Sequence, residues 1–276
     1  DINLKGMGVA LITPFKEDES VDYEALGKLV DYQVQNGTDY LVVLGTTAET
    51  PTLTEEEKKN IISLVVTRVR GRIPIVLGVG GNCTRSVVEK LKTDNFEGID
   101  AILSVVPYYN KPSQQGLYNH FKAIAEHSPL PVILYNVPGR TSVNMTAATT
   151  LRLALDFENI IAIKEAAGNF EQATSIIAGM PENFIFLSGD DGIALPLISI
   201  GGSGVISVIA NVLPYDFSTM VHLALEGEFG EAKDIHLRLG EMFKALFEEG
   251  NPAGVKAALH AKGVIASQKL RSPLCE

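Results

Sequence analysis

The chain has 276 residues, of which 46% are hydrophobic, and carries 23 basic against 33 acidic residues, a net charge of −10. This is the composition of a globular protein, and an acidic chain without a Lys/Arg-rich run argues against general nucleic-acid binding. No apolar run approaches the roughly 18–20 residues of a membrane span, so we expect no membrane association. Cys83 and Cys275 lack disulfide-framework or metal-site spacing, and no signal-peptide pattern is present, which predicts a reducing, cytoplasmic location.

Eight short apolar runs recur along the chain, each rich in Val and Ile and bounded by Gly, Pro or Asp, as buried parallel strands are. They are residues 7–14, 40–45, 73–80, 99–107, 131–137, 160–166, 184–190 and 204–210. Amphipathic segments of helical period lie between them, including 22–35, 54–70, 113–127, 144–155 and 214–226. Thr54 followed by Glu57 is a capping-box pattern, and Asn144 and Asn169 are predicted N-caps.

Eight strands alternating with eight helices predict an α/β fold, a (β/α)8 TIM barrel over residues 1–226, because each parallel pair needs a crossover connection. A doubly wound open sheet is the alternative, but its six or so strands leave two runs unexplained. After residue 226 the strand signals stop, and 228–247 and 252–262 are predicted helices. We therefore expect a barrel catalytic domain followed by a helical domain over 227–276.

Polar residues follow several of these apolar strands, at the ends where the active site of such a barrel lies. They are Thr46, Thr47 and Glu49 after strand 2, Tyr108, Tyr109 and Asn110 after strand 4, Tyr135, Asn136 and Arg140 in or after strand 5, Lys164 in strand 6, and Asp190 and Asp191 after strand 7. These terminations are unusually polar for strands with such apolar bodies. They point to a functional face.

Lys164 is the least expected of these residues, because it ends an otherwise apolar strand. Taken alone, it is most simply a solvated lysine where the strand reaches the surface. Side chains alternate along a strand, so if Lys164 points into the barrel, Ala162 and Ile160 do too, and Ile161 points outward. Tyr135 and Lys164 are each the fifth residue of neighbouring runs, which predicts that phenol and amine lie together at the mouth.

An amine withdrawn from water is a candidate nucleophile toward a carbonyl, and the resulting iminium acidifies the adjacent carbon. That chemistry needs a proton shuttle, for which Tyr135 is suitable. It needs donors for a substrate carboxylate, and Thr46 and Thr47 offer hydroxyls and N–H groups at a strand-to-helix turn. The Arg140 guanidinium is placed to bind a second carboxylate.

Each residue also has a simpler interpretation. The two threonines are ordinary turn residues, Tyr108 or Tyr109 packs on the barrel rim, and Arg140 is a surface charge. Asp190 and Asp191 suit a divalent metal, but no third carboxylate or histidine has clear ligand placement, so we expect no metal site. The five histidines lie in helical segments, and the glycine stretches GVGGN and IGGSG match no phosphate-binding pattern. The grouping at one end of one barrel favours the functional interpretation.

Five motifs in chain order carry a family resemblance. They are Gly45-Thr46-Thr47-Ala48-Glu49, Tyr108-Tyr109-Asn110-Lys111-Pro112, Tyr135-Asn136-Val137-Pro138-Gly139-Arg140-Thr141, Ile163-Lys164-Glu165-Ala166 and Ser188-Gly189-Asp190-Asp191. Together they resemble the dihydrodipicolinate synthase (4-hydroxy-tetrahydrodipicolinate synthase) family of pyruvate-dependent class I aldolases. Two alternatives stay open: another Schiff-base aldolase, similar to N-acetylneuraminate lyase or a sugar-acid aldolase, and a barrel that binds without catalysing.

The resemblance implies condensation of pyruvate with L-aspartate 4-semialdehyde, in the diaminopimelate route to L-lysine, by a homotetramer that uses no organic cofactor. The implied catalytic residues are Lys164 for the Schiff base, Tyr135 for proton transfer, and Thr46 and Tyr109 as its relay, Tyr109 reaching a neighbouring subunit. The implied substrate-binding residues are Thr47 for the pyruvate carboxylate, Arg140 for the semialdehyde carboxylate, and Gly189 and Ile206 through their carbonyls.

The resemblance also implies a lysine-regulatory site, to which Thr50, Asn82 and Tyr108 correspond. Inhibited members of the family carry a histidine and an acidic residue where this chain has Glu55 or Lys58, and Ser86. Lys58 would repel a bound lysine, whereas Glu55 would substitute for the lost carboxylate, and the two alternatives leave feedback inhibition open. Family members usually continue into a further helix, which we expect this sequence to lack.

Overall fold

Eight parallel strands form a closed barrel in the computed structural model, which describes residues 2–276. Each strand pairs with the next in chain order and β8 pairs with β1, so the TIM barrel is confirmed and the open sheet is excluded. The strands are β1 (Gly6–Ala10), β2 (Tyr40–Val43), β3 (Ile75–Gly78), β4 (Ala101–Val105), β5 (Val132–Asn136), β6 (Ile160–Glu165), β7 (Ile185–Ser188) and β8 (Gly204–Ser207).

Helices follow the strands around the barrel, and three more come after it. They are α1 (Tyr23–Gln35), α2 (Glu55–Val69), α3 (Thr84–Thr93), α4 (Gln114–His127), α5 (Pro138–Thr141), α6 (Ala147–Asp156), α7 (Phe170–Gly179), α8 (Ala194–Ser199), α9 (Pro214–Leu225), α10 (Phe229–Arg238), α11 (Gly240–Glu248) and α12 (Ala253–Ala261). The predicted helix 228–247 is thus two helices, which meet at Leu239. No helix within residues 2–276 has the length and apolar character needed to cross a bilayer.

The predicted helix starts are partly confirmed. Thr54 and Glu57 form the capping box of α2, and the Asn169 side chain accepts from the Gln172 N–H at the start of α7. The prediction for Asn144 is wrong: α6 begins after Thr146, whose hydroxyl caps it. Asn144 instead uses its side chain in hydrogen bonds to neighbouring elements.

Two apolar clusters divide the core, as the alternation of strand side chains requires. The inner cluster fills the barrel and contains Tyr40, Ile133, Tyr135, Ala162, Leu187 and Ile206. The outer cluster lies between the strands and the helices. The inner cluster fills the barrel below its C-terminal mouth, so the polar residues at the strand ends lie above an apolar interior.

A register shift at the start of β6 alters the predicted alternation. Val132 pairs with Ile160 and the next residue of β5 pairs with Ala162, so Ile161 is the extra residue of a bulge. Ile160 consequently belongs to the outer cluster, while Ile161 packs against the inner one, the reverse of the prediction. From Ala162 onward the alternation holds, and it aligns Tyr135 with Lys164 as expected.

Candidate active site

Lys164 and Tyr135 form the centre of the site at the C-terminal mouth of the barrel. They are register partners on β6 and β5, and the Lys164 Nζ lies 4.1 Å from the centroid of the Tyr135 ring. Both side chains are buried, each with 7% exposure. Within residues 2–276 no carboxylate lies within ion-pair distance of the Lys164 amine. A buried amine without a counter-ion is costly for the fold, and its contact with an aromatic face is a weak substitute.

The Thr46–Ala48 segment forms a 3₁₀ turn directly after β2. Thr47 is buried, with 3% exposure, while Thr46 is partly exposed. The turn comes close to β3 because Gly78 has no side chain: a Cβ there would lie 2.2 Å from the carbonyl oxygen of Leu44. This close approach brings the turn over the mouth of the barrel.

The C-terminal helices reach this turn through Asn251, in the loop between α11 and α12. The Asn251 side-chain amide donates to the Thr47 hydroxyl at 2.8 Å. The Arg140 guanidinium, on α5, donates to the Asn251 backbone oxygen at 3.4 Å. Two residues predicted to hold different carboxylates are therefore joined by one residue that the sequence did not single out.

A fully buried ion pair fixes the same region. Glu49, the last residue of the Gly45–Glu49 motif, contacts the Lys256 amine at 2.5 Å, and both side chains have zero exposure. Lys256 also donates to the carbonyl of Lys269, and the Arg271 N–H donates to Glu49. Burial lowers the pKa of Lys256 to about 8, while the attraction of Glu49 opposes the shift.

The signal for this pair was present in the sequence. Lys256 stands in the apolar run VKAAL, and α12 buries Val255 and Leu259 on the same side. A lysine on the buried side of an amphipathic helix requires a partner. Its partner, Glu49, is 207 positions away, which one sequence cannot indicate.

A model of the Dihydrodipicolinate synthetase family matches residues 3–276. The chain belongs to this family. A 4-hydroxy-tetrahydrodipicolinate synthase from Parabacteroides distasonis is 73% identical, over 99% of this chain and 92% of that protein. One from Phocaeicola vulgatus is 66% identical, over 98% of this chain and 91% of its own length. The crystal structure of dihydrodipicolinate synthase from Aquifex aeolicus matches with a TM-score of 0.95 and 46% identity, over 99% of this chain and 92% of that one.

The remaining predicted residues of the dihydrodipicolinate synthetase site lie around the barrel mouth. Ile206 is buried in the inner cluster and Gly189 follows β7, where a Cβ would lie 2.7 Å from that of Ala166. Tyr109 is 87% exposed and has a φ of 74°. A large aromatic side chain held outward by left-handed backbone is available to a neighbouring molecule, and within this chain it does not pack into the core.

Glu165, to which the sequence assigned no role, is buried on the outer side of the barrel. Its carboxylate accepts from the side chains of Asn136 and Gln172 and from the Ala167 N–H. Burial raises its pKa, against the effect of these donors. The network joins β5, β6 and α7 immediately beside Lys164, so Glu165 holds the strand that carries the amine.

Asp190 and Asp191 serve the fold. The Asp190 side chain accepts from the Gly192 N–H, and the buried Asp191 carboxylate accepts from the N–H groups of Val208 and Ile209. Burial raises the pKa of Asp191 to about 6. Residues 2–276 contain no group of three or more His, Cys, Asp or Glu side chains arranged to hold a metal ion.

The positions implied for lysine regulation are engaged in other contacts. The Thr50 hydroxyl donates to the Gly45 carbonyl, and the Asn82 side chain donates to the Tyr108 carbonyl. Glu55 forms ion pairs with Lys58 at 2.9 Å and with Lys90 at 3.3 Å. Its charge is therefore already balanced within the chain, which reduces what it can offer to a bound ammonium group.

Proposed function

We propose that this member of the family condenses pyruvate with L-aspartate 4-semialdehyde to give 4-hydroxy-tetrahydrodipicolinate. The observation that carries the proposal is the buried, uncompensated amine of Lys164 beside Tyr135 at the barrel mouth. Burial of an amine without a counter-ion is unfavourable, which makes such a group a candidate for a catalytic role. A relative that is 73% identical over 99% of this chain is a 4-hydroxy-tetrahydrodipicolinate synthase, which supports the proposal.

In the proposed reaction Lys164 attacks the keto carbon of pyruvate and water leaves, giving a protonated imine. Loss of a proton from the methyl carbon yields an enamine, which attacks the aldehyde carbon of the second substrate. The amino group of that substrate then adds to the imine carbon, closes the ring and releases Lys164. Tyr135 is the proposed proton carrier, with Thr46 and Tyr109 of a neighbouring subunit as its relay.

Thr47 is the proposed binding residue for the pyruvate carboxylate, and Arg140 for the carboxylate of the semialdehyde. A guanidinium suits this role because it donates two parallel hydrogen bonds to a carboxylate. The carbonyls of Gly189 and Ile206 are proposed to line the pocket. We also propose a homotetramer, consistent with the exposed Tyr109, and a cytoplasmic location.

Borohydride reduction in the presence of pyruvate, followed by peptide mass mapping, tests the mechanism. The expected result is a reduced pyruvyl adduct on Lys164, and none on the Lys164→Ala variant. An adduct elsewhere, or none in the wild-type protein, contradicts the Schiff-base step. Consumption of aspartate semialdehyde by the untreated protein separates the synthase from another pyruvate aldolase.

The role of Arg140 has its own test. Arg140→Ala is expected to raise the KM for the semialdehyde by at least about tenfold, because a charged hydrogen-bonded contact contributes about 1.5–3 kcal/mol. The rate of pyruvate trapping should change little in the same variant. An unchanged KM for the semialdehyde would remove Arg140 from the site.

A further inference from the structure

Asn251 lies outside the barrel, yet its side chain touches a residue of the proposed pyruvate site. Its amide nitrogen donates to the Thr47 hydroxyl oxygen at 2.8 Å. Within residues 2–276 this is the only side-chain hydrogen bond of Asn251, because its side-chain oxygen is buried without a donor. The Asn251 amide and the Thr47 hydroxyl therefore orient each other.

The direction of this hydrogen bond determines whether the Thr47 hydroxyl can donate its proton to a ligand. A threonine hydroxyl has one proton to donate and two lone pairs that accept. An amide N–H2 group only donates, so it occupies a lone pair of Thr47 and leaves the hydroxyl proton uncommitted. A carboxylate only accepts, so an uncommitted proton is what a carboxylate-binding hydroxyl must offer.

Neighbouring threonines show the contrast. Thr13 donates its hydroxyl proton to the Ala48 carbonyl, Thr50 to the Gly45 carbonyl and Thr52 to the Glu49 carbonyl. These three protons are committed to the backbone of the turn. Thr47, in the same turn, has no acceptor for its proton among the described residues, and its only side-chain partner is a donor.

The C-terminal helices hold Asn251 in place from the other side. Five residues after it, Lys256 forms the buried ion pair with Glu49, which is two residues after Thr47. The loop that carries Asn251 and the turn that carries Thr47 are thus joined at two points. Lateral movement of one relative to the other requires breaking a buried ion pair, which is unfavourable.

We propose that Asn251 is a positioning residue that sets the donor direction of the Thr47 hydroxyl, so that the C-terminal helices complete the pyruvate-carboxylate site of the barrel. This inference rests on the proposed function, because it assigns Thr47 to pyruvate. It gives the helices after the barrel a part in substrate binding.

The test is a double-mutant cycle read through pyruvate binding. Asn251→Leu keeps the side-chain volume and removes the donor, and it is expected to raise the KM for pyruvate about three- to tenfold, the value of one hydrogen bond. Thr47→Val removes the hydroxyl. In the Thr47→Val background, Asn251→Leu should add less than about twofold, because its effect passes through Thr47.

Two further readouts distinguish positioning from a general loss of structure. Arg140 contacts the backbone oxygen of Asn251, which every variant keeps, so the KM for the semialdehyde should change less than that for pyruvate. The control is His222→Ala, which removes a hydrogen bond to Asp39 at the opposite end of the barrel. It is expected to lower the melting temperature and to leave the KM for pyruvate unchanged.

The outcomes separate the two proposals. If the wild-type protein forms no pyruvyl adduct on Lys164, the proposed function fails. If the adduct forms but the effects of Asn251→Leu and Thr47→Val on pyruvate KM multiply, the positioning role is refuted. Should Asn251→Leu not fold, Asn251→Ala enters the same cycle with the same expectations.

Discussion

The buried Lys256–Glu49 ion pair makes a sharp prediction about stability. Lys256→Met fills a similar volume but leaves the Glu49 carboxylate buried with the Arg271 N–H as its remaining donor from this cluster. Removing one partner of a buried ion pair costs about 3–5 kcal/mol, because the other charge stays uncompensated. A chain of this length changes its melting temperature by about 2 °C per kcal/mol, so the expected loss is about 6–10 °C.

The double variant Lys256→Met/Glu49→Gln removes both charges and keeps an acceptor for the Arg271 N–H. It is expected to recover most of the loss, since replacing both members of a buried pair is often nearly neutral. Lys28→Met is the matched control, because Lys28 pairs with Glu24 on an exposed helix surface, where such pairs contribute little.

Thermal denaturation followed by circular dichroism measures five proteins under one condition: the wild type, Lys256→Met, Glu49→Gln, the double variant and Lys28→Met. The predicted role of the ion pair is refuted if Lys256→Met loses no more stability than Lys28→Met. It is also refuted if the double variant loses the sum of the two single losses, because the coupling between the charges would then be absent.

Three further predictions concern other buried groups. Burial lowers the pKa of His120 to about 4, so below about pH 6.5 the unfolded chain binds a proton that the folded chain does not bind. The free energy of unfolding should therefore fall between pH 6.5 and 4, by up to about 3 kcal/mol relative to His120→Gln, when both are measured by urea denaturation. Parallel pH profiles of the two proteins would contradict this prediction. Glu165→Ala removes the acceptor of the Ala167 N–H and one of several acceptors of Asn136 and Gln172, so it should cost about 1–3 kcal/mol and slow pyruvate trapping. Glu165→Gln keeps an acceptor and should cost less, and equal effects of the two variants would argue against the network. Lys164→Met should abolish trapping with a melting temperature at or above that of the wild type, and a clear decrease would show that the amine stabilises the fold.

The barrel could be predicted because each strand has a local sequence pattern. A run such as IPIVLGVG is apolar on both faces and ends at glycine, and eight such runs leave few closed topologies. The bulge at Ile161 could not be predicted, because all three residues around it are apolar and fit either face of the strand. The N-cap of α6 was misplaced because Asn144 and Thr146 are both good caps, and the choice depends on the partners of Asn144 in neighbouring elements.

Some residues of the candidate site could be predicted from the sequence and others could not. Lys164 and Tyr135 could be placed together because strand pairing is regular and both stand at the same position of adjacent runs. The contacts of Asn251 with Thr47 and of Glu49 with Lys256 could not be predicted, because the partners lie more than 200 positions apart in sequence. Contacts between a barrel loop and a helix that follows the barrel depend on how the helices dock, and no local pattern encodes that.

The two buried lysines illustrate how structure separates function from stability. Lys164 and Lys256 are both withdrawn from water, and the sequence around each is apolar. Only Lys256 has a carboxylate partner, which satisfies its charge and fixes the turn that carries Thr47. Lys164 has the face of the Tyr135 ring beside its amine instead. The fold thus uses one ion pair to hold the turn that carries Thr47, while the amine proposed to react with pyruvate has no ion-pair partner among residues 2–276.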